Sequence, residues 1–371
     1  MKTFRIVPQI YEFSTFQEFA QAFSLGEKDL IVTQRFTYDP FIKNLHLPCP
    51  VIFQEDYGKE EPTDLMVNRI VQALRDVDYQ RVVAVGGGTV IDICKLLAQQ
   101  RFDDVEEIFA APEKSRRDKP LLAVPTTCGT GSEVTRSAII HSTARQTKVR
   151  MAYDQFFATA AVLIPQLLTT LPYAPFAFSA IDALVHGVES YLSPNATTFS
   201  QIFSLQAVEL LVRSFRHVAD HGPDSRQEVL ADVQKASNYA GIAFGNAGCG
   251  AVHALSFPLS GRYHVSHGES NYQFFTSVLE MYVRKDPSGR MGTLCHRLGE
   301  LLDCPPQNAI EQLAALLEKI WHKKTLREFG MKEEEIVEFA QEVYRDLQPV
   351  LATSYLPLSE EELMEINQTL Y

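Results

Sequence analysis

The hydrophobic pattern of the 371-residue chain changes once, near residue 172. Before that point, short runs rich in β-branched residues, such as "DLIVTQ", "PVIFQE" and "PLLAVP", alternate with stretches of helical periodicity. Strands that alternate with helices predict a mostly parallel sheet with helices on both faces. After that point the strand signals stop, and long stretches with a period of 3.6 residues follow, as in "FSLQAVELLVRSFRHVAD".

This change predicts two domains, which also suits a chain too long for one small core. We expect an α/β domain with a Rossmann-like sheet over residues 1–170. We expect an all-helical domain over residues 171–371.

Composition and charge argue against several classes of function. The formal net charge of −12 is the opposite of what a nucleic-acid-binding surface needs. No apolar run approaches the roughly 18 residues of a membrane-spanning helix, and the N-terminus has no apolar signal core. The six cysteines are scattered without CxxC spacing, which is typical of free thiols in a reducing compartment. We therefore expect a cytoplasmic protein with neither nucleic acid nor membrane as a partner.

A glycine turn follows one predicted strand. In "VVAVGGGTVIDICK", Gly86, Gly87 and Gly88 lie between a buried strand and a helix. Backbone N–H groups and the helix N-terminus of such a turn suit a phosphate, and Thr89 could cap the helix or donate its hydroxyl. The pattern is neither GxGxxG nor a Walker A loop, so a tight turn without a ligand is the alternative.

A second glycine loop, "PTTCGTGSEVT", follows the next predicted strand. In open α/β sheets, ligands bind beyond the carboxyl ends of the strands. Two polar glycine loops at such ends favour a dinucleotide, although a polar surface turn is the alternative for the second. The hydroxyl-bearing residues of this loop are Thr126, Thr127, Thr130, Ser132 and Thr135.

The helical half contains a candidate metal site. Asp182 and His186, in "SAIDALVHGVES", are four residues apart and share one face of a helix. A carboxylate in such an apolar run needs a cation or a full set of hydrogen bonds, whereas an exposed Asp–His pair would need neither. The stretch "AVHALSFPLSGRYHVSHGES" adds His253, His264 and His267. Imidazoles with a carboxylate suit Fe(II) or Zn(II), but spacing does not decide which of these three histidines are ligands.

Together, these motifs resemble the iron-containing (group III) alcohol dehydrogenase family. The matching segments are "GGGTVIDICK", "PTTCGTGSEVT", "IDALVHGVESYLSP" and "GAVHALSFPLSGRYHVSHGESN", in the family's order and over essentially the whole chain. The resemblance implies the fold shared with dehydroquinate synthase and a homo-oligomer, a dimer or larger. It also implies reversible hydride transfer between NAD(H) and a primary alcohol or aldehyde, assisted by Fe(II) or Zn(II).

The resemblance also assigns residues. It implies metal ligation by Asp182, His186, His253 and His267, which leaves His264 outside the ligand set. Within the cofactor site it places Lys148 near the ribose and Phe244 near the nicotinamide. The cofactor-binding residues that it implies are Gly87, Gly88, Thr89, Asp92, Thr126, Thr127, Thr130, Ser132, Lys148, Phe244 and Gln34.

Three positions depart from the family pattern. Phe257 stands where many members have a second histidine, so a proton relay through that position is not available. Gln34 stands where many have an aspartate that repels the extra phosphate of NADP. We therefore expect NAD but do not exclude NADP. Ser260 replaces a usual glycine, and we attach no function to that change.

Within the family, the chain resembles members that interconvert 4-hydroxybutyrate and succinate semialdehyde. This resemblance rests on "YGKEEPTD", "SNYAGIAFGNAGCGAVHALS", "RYHVSHGESNYQFF" and "LREFGMKEEEI". A carboxylated substrate needs a clamp of positive charge or several donors, for which Arg262, His264 and Arg136 are candidates. Both arginines are equally compatible with solvated surface positions. Alternatively, His264 passes the alcohol proton to solvent.

Other functions fit the same motifs less well. A diol or lactaldehyde reductase of the same family would need no carboxylate clamp. A lyase like dehydroquinate synthase shares the architecture, but "PTTCGTGSEVT" and the Asp/His set argue against it. A non-catalytic binding protein on this scaffold would be expected to lack metal ligands, and all four positions are filled.

Overall fold

The computed structural model describes residues 2–58 and 61–371. Lys59 and Glu60, in the segment "YGKEEPTD", lie outside the described residues. The chain forms two compact units. One is Ile6–Leu171, and the other combines residues 2–5 with Pro172–Tyr371.

The first unit contains a six-stranded sheet and a separate hairpin. The strands are β1 (Gln9–Glu12), β2 (Asp29–Thr33), β3 (Val51–Phe53), β4 (Arg81–Gly86), β5 (Leu121–Pro125), β6 (Ser137–Ser142), β7 (Thr147–Ala152) and β8 (Ala160–Leu163). The order in the large sheet is β1-β8-β5-β4-β2-β3, and all of its pairings are parallel. Strands β6 and β7 pair antiparallel in the hairpin.

Both faces of the large sheet are covered by apolar side chains. Along β4, Val82 and Ala84 belong to one buried cluster, and Val83 and Val85 belong to another. Successive side chains of a strand point to opposite faces, so a strand buried on both faces consists of a continuous apolar run. The run "VVAV" has this pattern because it forms the centre of a two-sided core.

Five helices accompany this sheet: α1 (Phe16–Ala22), α2 (Arg35–Phe41), α3 (Asp64–Ala73), α4 (Gly88–Leu97) and α5 (Val105–Ala110). Helix α4 begins two residues after β4 ends, with Gly87 at the N-cap position. This short connection places the N-terminus of α4 at the end of the sheet where the parallel strands have their carboxyl ends.

In the described residues of the second unit, the regular secondary structure is helical. Its helices are α6 (Tyr173–Leu192), α7 (Thr198–His221), α8 (Arg226–Ala247), α9 (Ala251–Tyr263), α10 (His267–Lys285), α11 (Gly289–Leu302), α12 (Ala309–Ile320), α13 (Glu335–Asp346), α14 (Gln348–Leu351) and α15 (Glu360–Leu370). The three longest, α6, α7 and α8, pack on one another, and α10 packs against both α6 and α9.

The predicted fold class, a mostly parallel α/β sheet followed by an all-helical part, is confirmed. All six cysteines are free thiols. Within the part of the chain that the structure describes, no helix combines the length and apolarity required to cross a bilayer.

Candidate active site

Four side chains of the helical unit converge on one point. Asp182 and His186 come from α6, His253 from α9, and His267 is the first residue of α10. One ligand atom from each lies within 4.8 Å of those of the other three. The spacing of four residues on α6 brings His186 Nδ1 to 3.9 Å from Asp182 Oδ2.

Three members of this cluster are buried, and His267 is half-buried. Burial alone would raise the pKa of the Asp182 carboxyl. The neighbouring imidazoles and a hydrogen bond from Asn271 outweigh burial, so the pKa of Asp182 lies below its ordinary value. The carboxyl is therefore held as an anion within a low-dielectric site, which is the form that binds a cation.

Glu189 fixes the orientation of one imidazole. On α6, its Oε2 accepts a hydrogen bond of 2.6 Å from His253 Nδ1, and its Oε1 accepts one of 2.8 Å from the Val252 amide. With its proton on Nδ1, the His253 ring presents the Nε2 lone pair to the cluster. A carboxylate behind a ligating histidine typically sets the histidine's tautomer and basicity. The sequence motifs did not indicate Glu189, because its role depends on a contact between α6 and α9.

The cluster fits a divalent transition ion. His253 Nε2 lies 3.1 Å from His186 Nε2, a close approach of two ring nitrogens that a shared cation would stabilise. His267 Nε2 lies 3.8 Å from Asp182 Oδ1 on the other side of the cluster. Three imidazoles and a carboxylate form a donor set that Fe(II) and Zn(II) accept.

Two phenylalanines border the cluster. The ring of Phe244, from α8, stacks on His186 with centroids 4.2 Å apart and planes at 15°. Phe257 lies beside His267 at 6.4 Å and is 40% exposed. Phe244, predicted near the nicotinamide, is therefore brought to the metal cluster itself, and Phe257 lies beside it as a group that carries no transferable proton.

The two candidates for the catalytic role lie at the end of α9. His264 follows this helix in the left-handed conformation, with φ of 54°, and is exposed. Arg262 donates to Glu338 and Glu342 of α13, and its guanidinium lies 4.7 Å from the Phe339 ring centroid. The positive charge of Arg262 is thus already paired, whereas His264 faces solvent.

In the sheet unit, the two predicted glycine loops are brought together. A Cβ added at Gly87 would lie 3.1 Å from Thr127 Cγ2, and one added at Gly88 would lie 3.1 Å from Thr130 Cγ2. Strands β4 and β5 are neighbours with Gly86 opposite Pro125, which explains this contact. Thr89 lies in the first turn of α4, and Thr126 is buried with an Oγ1 that has no hydrogen-bond partner in the described part of the chain.

Asp92 and Ser132, predicted at the cofactor site, belong to an internal polar network. The Ser132 hydroxyl donates to Asp92 Oδ1 at 2.6 Å, and Asp92 Oδ2 accepts from the Ile139 amide at 3.0 Å. The ammonium of Lys95, which is fully buried, reaches Ser132 Oγ at 2.6 Å and Asp92 Oδ1 at 3.2 Å. This network joins α4 to the loop after β5, so these side chains shape the loop. Lys95 was missed because nothing in "DICKLL" distinguishes a buried lysine from an exposed one.

The remaining predicted residues of this unit also have partners. Gln34, directly after β2, donates to Gln54 Oε1 at 2.9 Å. Lys148, on β7, lies 2.7 Å from a Glu61 carboxylate oxygen. Arg136 lies 3.1 Å from Asp154. The parallel sheet places Gln34 and the two glycine loops at one carboxyl edge, which is where a dinucleotide would be expected.

Family models cover nearly the whole chain. Residues 8–165 match the model for iron-containing alcohol dehydrogenase. Residues 176–371 match the model for the C-terminal part of the Fe-containing alcohol dehydrogenase family.

Individual proteins show the same similarity. The chain is 43% identical over 371 residues to 4-hydroxybutyrate dehydrogenase of Clostridium kluyveri, with 100% of both chains covered. It is 30% identical to long-chain-alcohol dehydrogenase 1 of Geobacillus thermodenitrificans, covering 94% of this chain and 90% of that one.

Solved structures share the fold. Sulfoacetaldehyde reductase from Bifidobacterium kashiwanohense, in complex with NAD+, superposes with a TM-score of 0.87 at 21% identity, covering 100% of this chain and 98% of that one. A 1,3-propanediol oxidoreductase superposes with a TM-score of 0.82 at 23% identity and full coverage of both chains. Family models over both parts of the chain and a full-length relative at 43% identity lead to one conclusion: the chain belongs to the iron-containing alcohol dehydrogenase family.

Proposed function

We propose that the protein transfers hydride reversibly between NAD(H) and a primary alcohol or aldehyde, with 4-hydroxybutyrate and succinate semialdehyde as the pair. The observation that carries the proposal is the buried convergence of Asp182, His186, His253 and His267. The full-length similarity to 4-hydroxybutyrate dehydrogenase of C. kluyveri supports the substrate pair.

In this proposal, the four cluster residues hold Fe(II) or Zn(II). When bound, the ion supplies Lewis acidity to the oxygen of the alcohol or aldehyde. Glu189 keeps the proton of His253 on Nδ1, so that Nε2 remains a ligand. The stacked ring of Phe244 shields one face of His186 from water. His267 is the most exposed of the four, and we assign the substrate to its side of the cluster.

The sheet unit holds the cofactor in this proposal. The N-terminus of α4, at Gly88 and Thr89, offers backbone N–H groups and partial positive charge to the pyrophosphate. Thr127 and Thr130 pack against the glycine turn from the neighbouring loop. Gln34 carries no charge that would repel the extra phosphate of NADP, so it does not enforce a preference for NAD. Comparing kcat/KM for NADH and NADPH measures that preference.

The substrate carboxylate and the alcohol proton require separate groups. Arg262 would have to leave two carboxylates of α13 to bind a substrate, and Arg136 would have to leave Asp154. We therefore favour His264 for contact with the substrate. If His264→Ala and Arg262→Ala both keep kcat and KM for succinate semialdehyde within about twofold of the wild type, both roles are wrong.

A substrate panel tests the proposed function. We expect kcat/KM for succinate semialdehyde with NADH to exceed that for propionaldehyde by about tenfold or more, because the carboxylate adds binding energy. An equal or better rate with propionaldehyde, together with oxidation of 1,3-propanediol, would instead indicate a diol or lactaldehyde reductase. Aldehyde-dependent consumption of NADH excludes a lyase like dehydroquinate synthase.

We also propose that the protein is a cytoplasmic homo-oligomer, a dimer or larger, as in its family. Light scattering coupled to size-exclusion chromatography measures the oligomer mass, and a mass of 41.7 kDa would show a monomer.

A further inference from the structure

Asn271 lies inside the ligand cluster, although no pattern in the sequence singled it out. It follows His267 by four residues on α10, so both side chains share one face of the helix. The side chain is fully buried. Its amide Nδ2 lies 2.7 Å from Asp182 Oδ1, 3.1 Å from His267 Nε2 and 3.3 Å from His253 Nε2.

The amide cannot satisfy all three contacts equally. A primary amide nitrogen carries two hydrogens, and three acceptors compete for them here. The shortest of the three contacts is to the carboxylate, which is also the strongest acceptor because it is charged. The carbonyl Oδ1 of Asn271 is buried and has no hydrogen-bond partner among the described residues. The Asn271 side chain is thus held through Nδ2, the atom that faces the cluster.

Asp182 needs such a donor. It is 2% exposed and lies between apolar neighbours on α6. A buried carboxylate that can rotate would present its oxygens to the imidazoles in several orientations, and binding an ion would then require fixing one of them. The amide of Asn271, on α10, supplies that donor and holds one oxygen of the carboxylate in place.

We propose that Asn271 is a positioning residue of the metal centre, which holds the Asp182 carboxylate in the orientation that binds the ion. The inference rests on the proposed metal site and extends it to a residue outside the four ligands. Removing the donor should lower metal affinity by about 10- to 100-fold, as loss of a partner behind a metal ligand typically does. The number of ligands on the metal should not change.

The test measures metal binding directly. Metal-free wild type, Asn271→Ala and Asn271→Leu are titrated anaerobically with Co(II), and the ligand-field absorption gives affinity and coordination number. Asn367→Leu is the matched control, because Asn367 is also fully buried but lies on α15, and its amide makes no hydrogen bond to the described residues. Thermal unfolding of the metal-free proteins shows whether each variant is folded.

The expected result is weaker Co(II) binding in both Asn271 variants, with the wild-type band shape, and wild-type affinity in Asn367→Leu. Affinity within about twofold of wild type in a folded Asn271 variant would overturn the inference. A change of band intensity that reports loss of one ligand would overturn it too, because Asn271 would then bind the ion itself. If neither Asn271 variant folds, the residue serves the helical unit rather than the ion. Failure of the wild type to bind Co(II) would contradict the proposed metal site itself.

Discussion

At the scale of single residues, the cluster depends on groups that hold its ligands as well as on the ligands. The sequence motifs indicated Asp182, His186, His253 and His267, and the structure brings these four together. They did not indicate Glu189 or Asn271, because each acts through a contact with another helix. Glu189 reaches across from α6 to His253 on α9, and no spacing along the chain encodes that contact.

We expect Glu189→Gln to weaken metal binding by about 10- to 100-fold. The carboxylate accepts from both the Val252 amide and His253 Nδ1, whereas a glutamine offers one acceptor oxygen and turns an N–H group toward the other donor. Metal retained after dialysis against a graded series of chelator concentrations measures the effect. Glu209→Gln, at a partly buried carboxylate paired with Arg297, serves as the control. Equal metal retention in the two variants would show that Glu189 does not support His253.

The buried ammonium of Lys95 should make the folding stability of the protein depend on pH. Burial lowers the pKa of Lys95, and the nearby Asp92 carboxylate opposes this only in part. An unfolded chain keeps lysine protonated up to about pH 10.4. Between the lowered pKa and that value, the unfolded state binds more protons, so folding stability rises with pH.

We therefore expect the free energy of unfolding of the wild type to rise relative to that of Lys95→Met as the pH increases from neutral toward about 10. Urea unfolding at a series of pH values measures both proteins. Lys28→Met, which removes an exposed lysine, should run parallel to the wild type. A constant difference between the wild type and Lys95→Met at all pH values would contradict the shifted titration of Lys95.

At the scale of elements, two adjacent glycines of the turn between β4 and α4 have different roles. We assign Gly86 to packing and Gly87 to cofactor binding. A Cβ at Gly86 would lie 2.5 Å from Val90 Cβ, a buried β-branched side chain with little freedom to move. A Cβ at Gly87 would lie no closer than 3.1 Å to its nearest neighbour, Thr127 Cγ2, and the φ of Gly87 is −74°. The first glycine is required for helix-on-strand packing, whereas a Cβ at the second would be tight only against the Thr127 side chain, which would have to shift by a few tenths of an ångström.

We expect Gly86→Ala to destabilise the fold by about 1–3 kcal/mol through overpacking. Gly87→Ala should cost less stability than Gly86→Ala but raise the Kd for NADH about tenfold, because the backbone must approach the pyrophosphate closely. Urea unfolding and titration of NADH fluorescence measure the two effects. The reverse pattern, with lost stability in Gly87→Ala and lost cofactor affinity in Gly86→Ala, would show that the roles are misassigned.

Strands β2, β3, β4 and β5 were recognisable in the sequence, but the β6–β7 hairpin was not. The strands flank residues 143–146, and Gln146 adopts φ of 51° there. Turns with positive φ usually contain Gly, Asn or Asp, which makes hairpins recognisable. The segment "TARQ" has none of these residues, so no turn signal separates the two short strands.

At the scale of the whole molecule, hydrophobic periodicity indicated the fold class, because a pattern that mixes strands and helices gives way to a purely helical one. Family membership followed from four motifs in order, which are far more specific together than any one of them. Neither level of pattern indicates the pairing of Arg262 with α13, since such a contact depends on where a distant helix packs.

The central claim is that a divalent ion held by Asp182 and three histidines is required for aldehyde reduction. The most direct measurement is elemental analysis of anaerobically purified wild type and Asp182→Ala, with NADH oxidation by succinate semialdehyde before and after chelation. We expect the wild type to carry Fe or Zn at about one ion per chain. Chelation should abolish activity, and Fe(II) or Zn(II) should restore it, whereas Asp182→Ala should neither retain metal nor recover. A wild type that binds no divalent metal and stays inactive after addition of both ions would contradict the account.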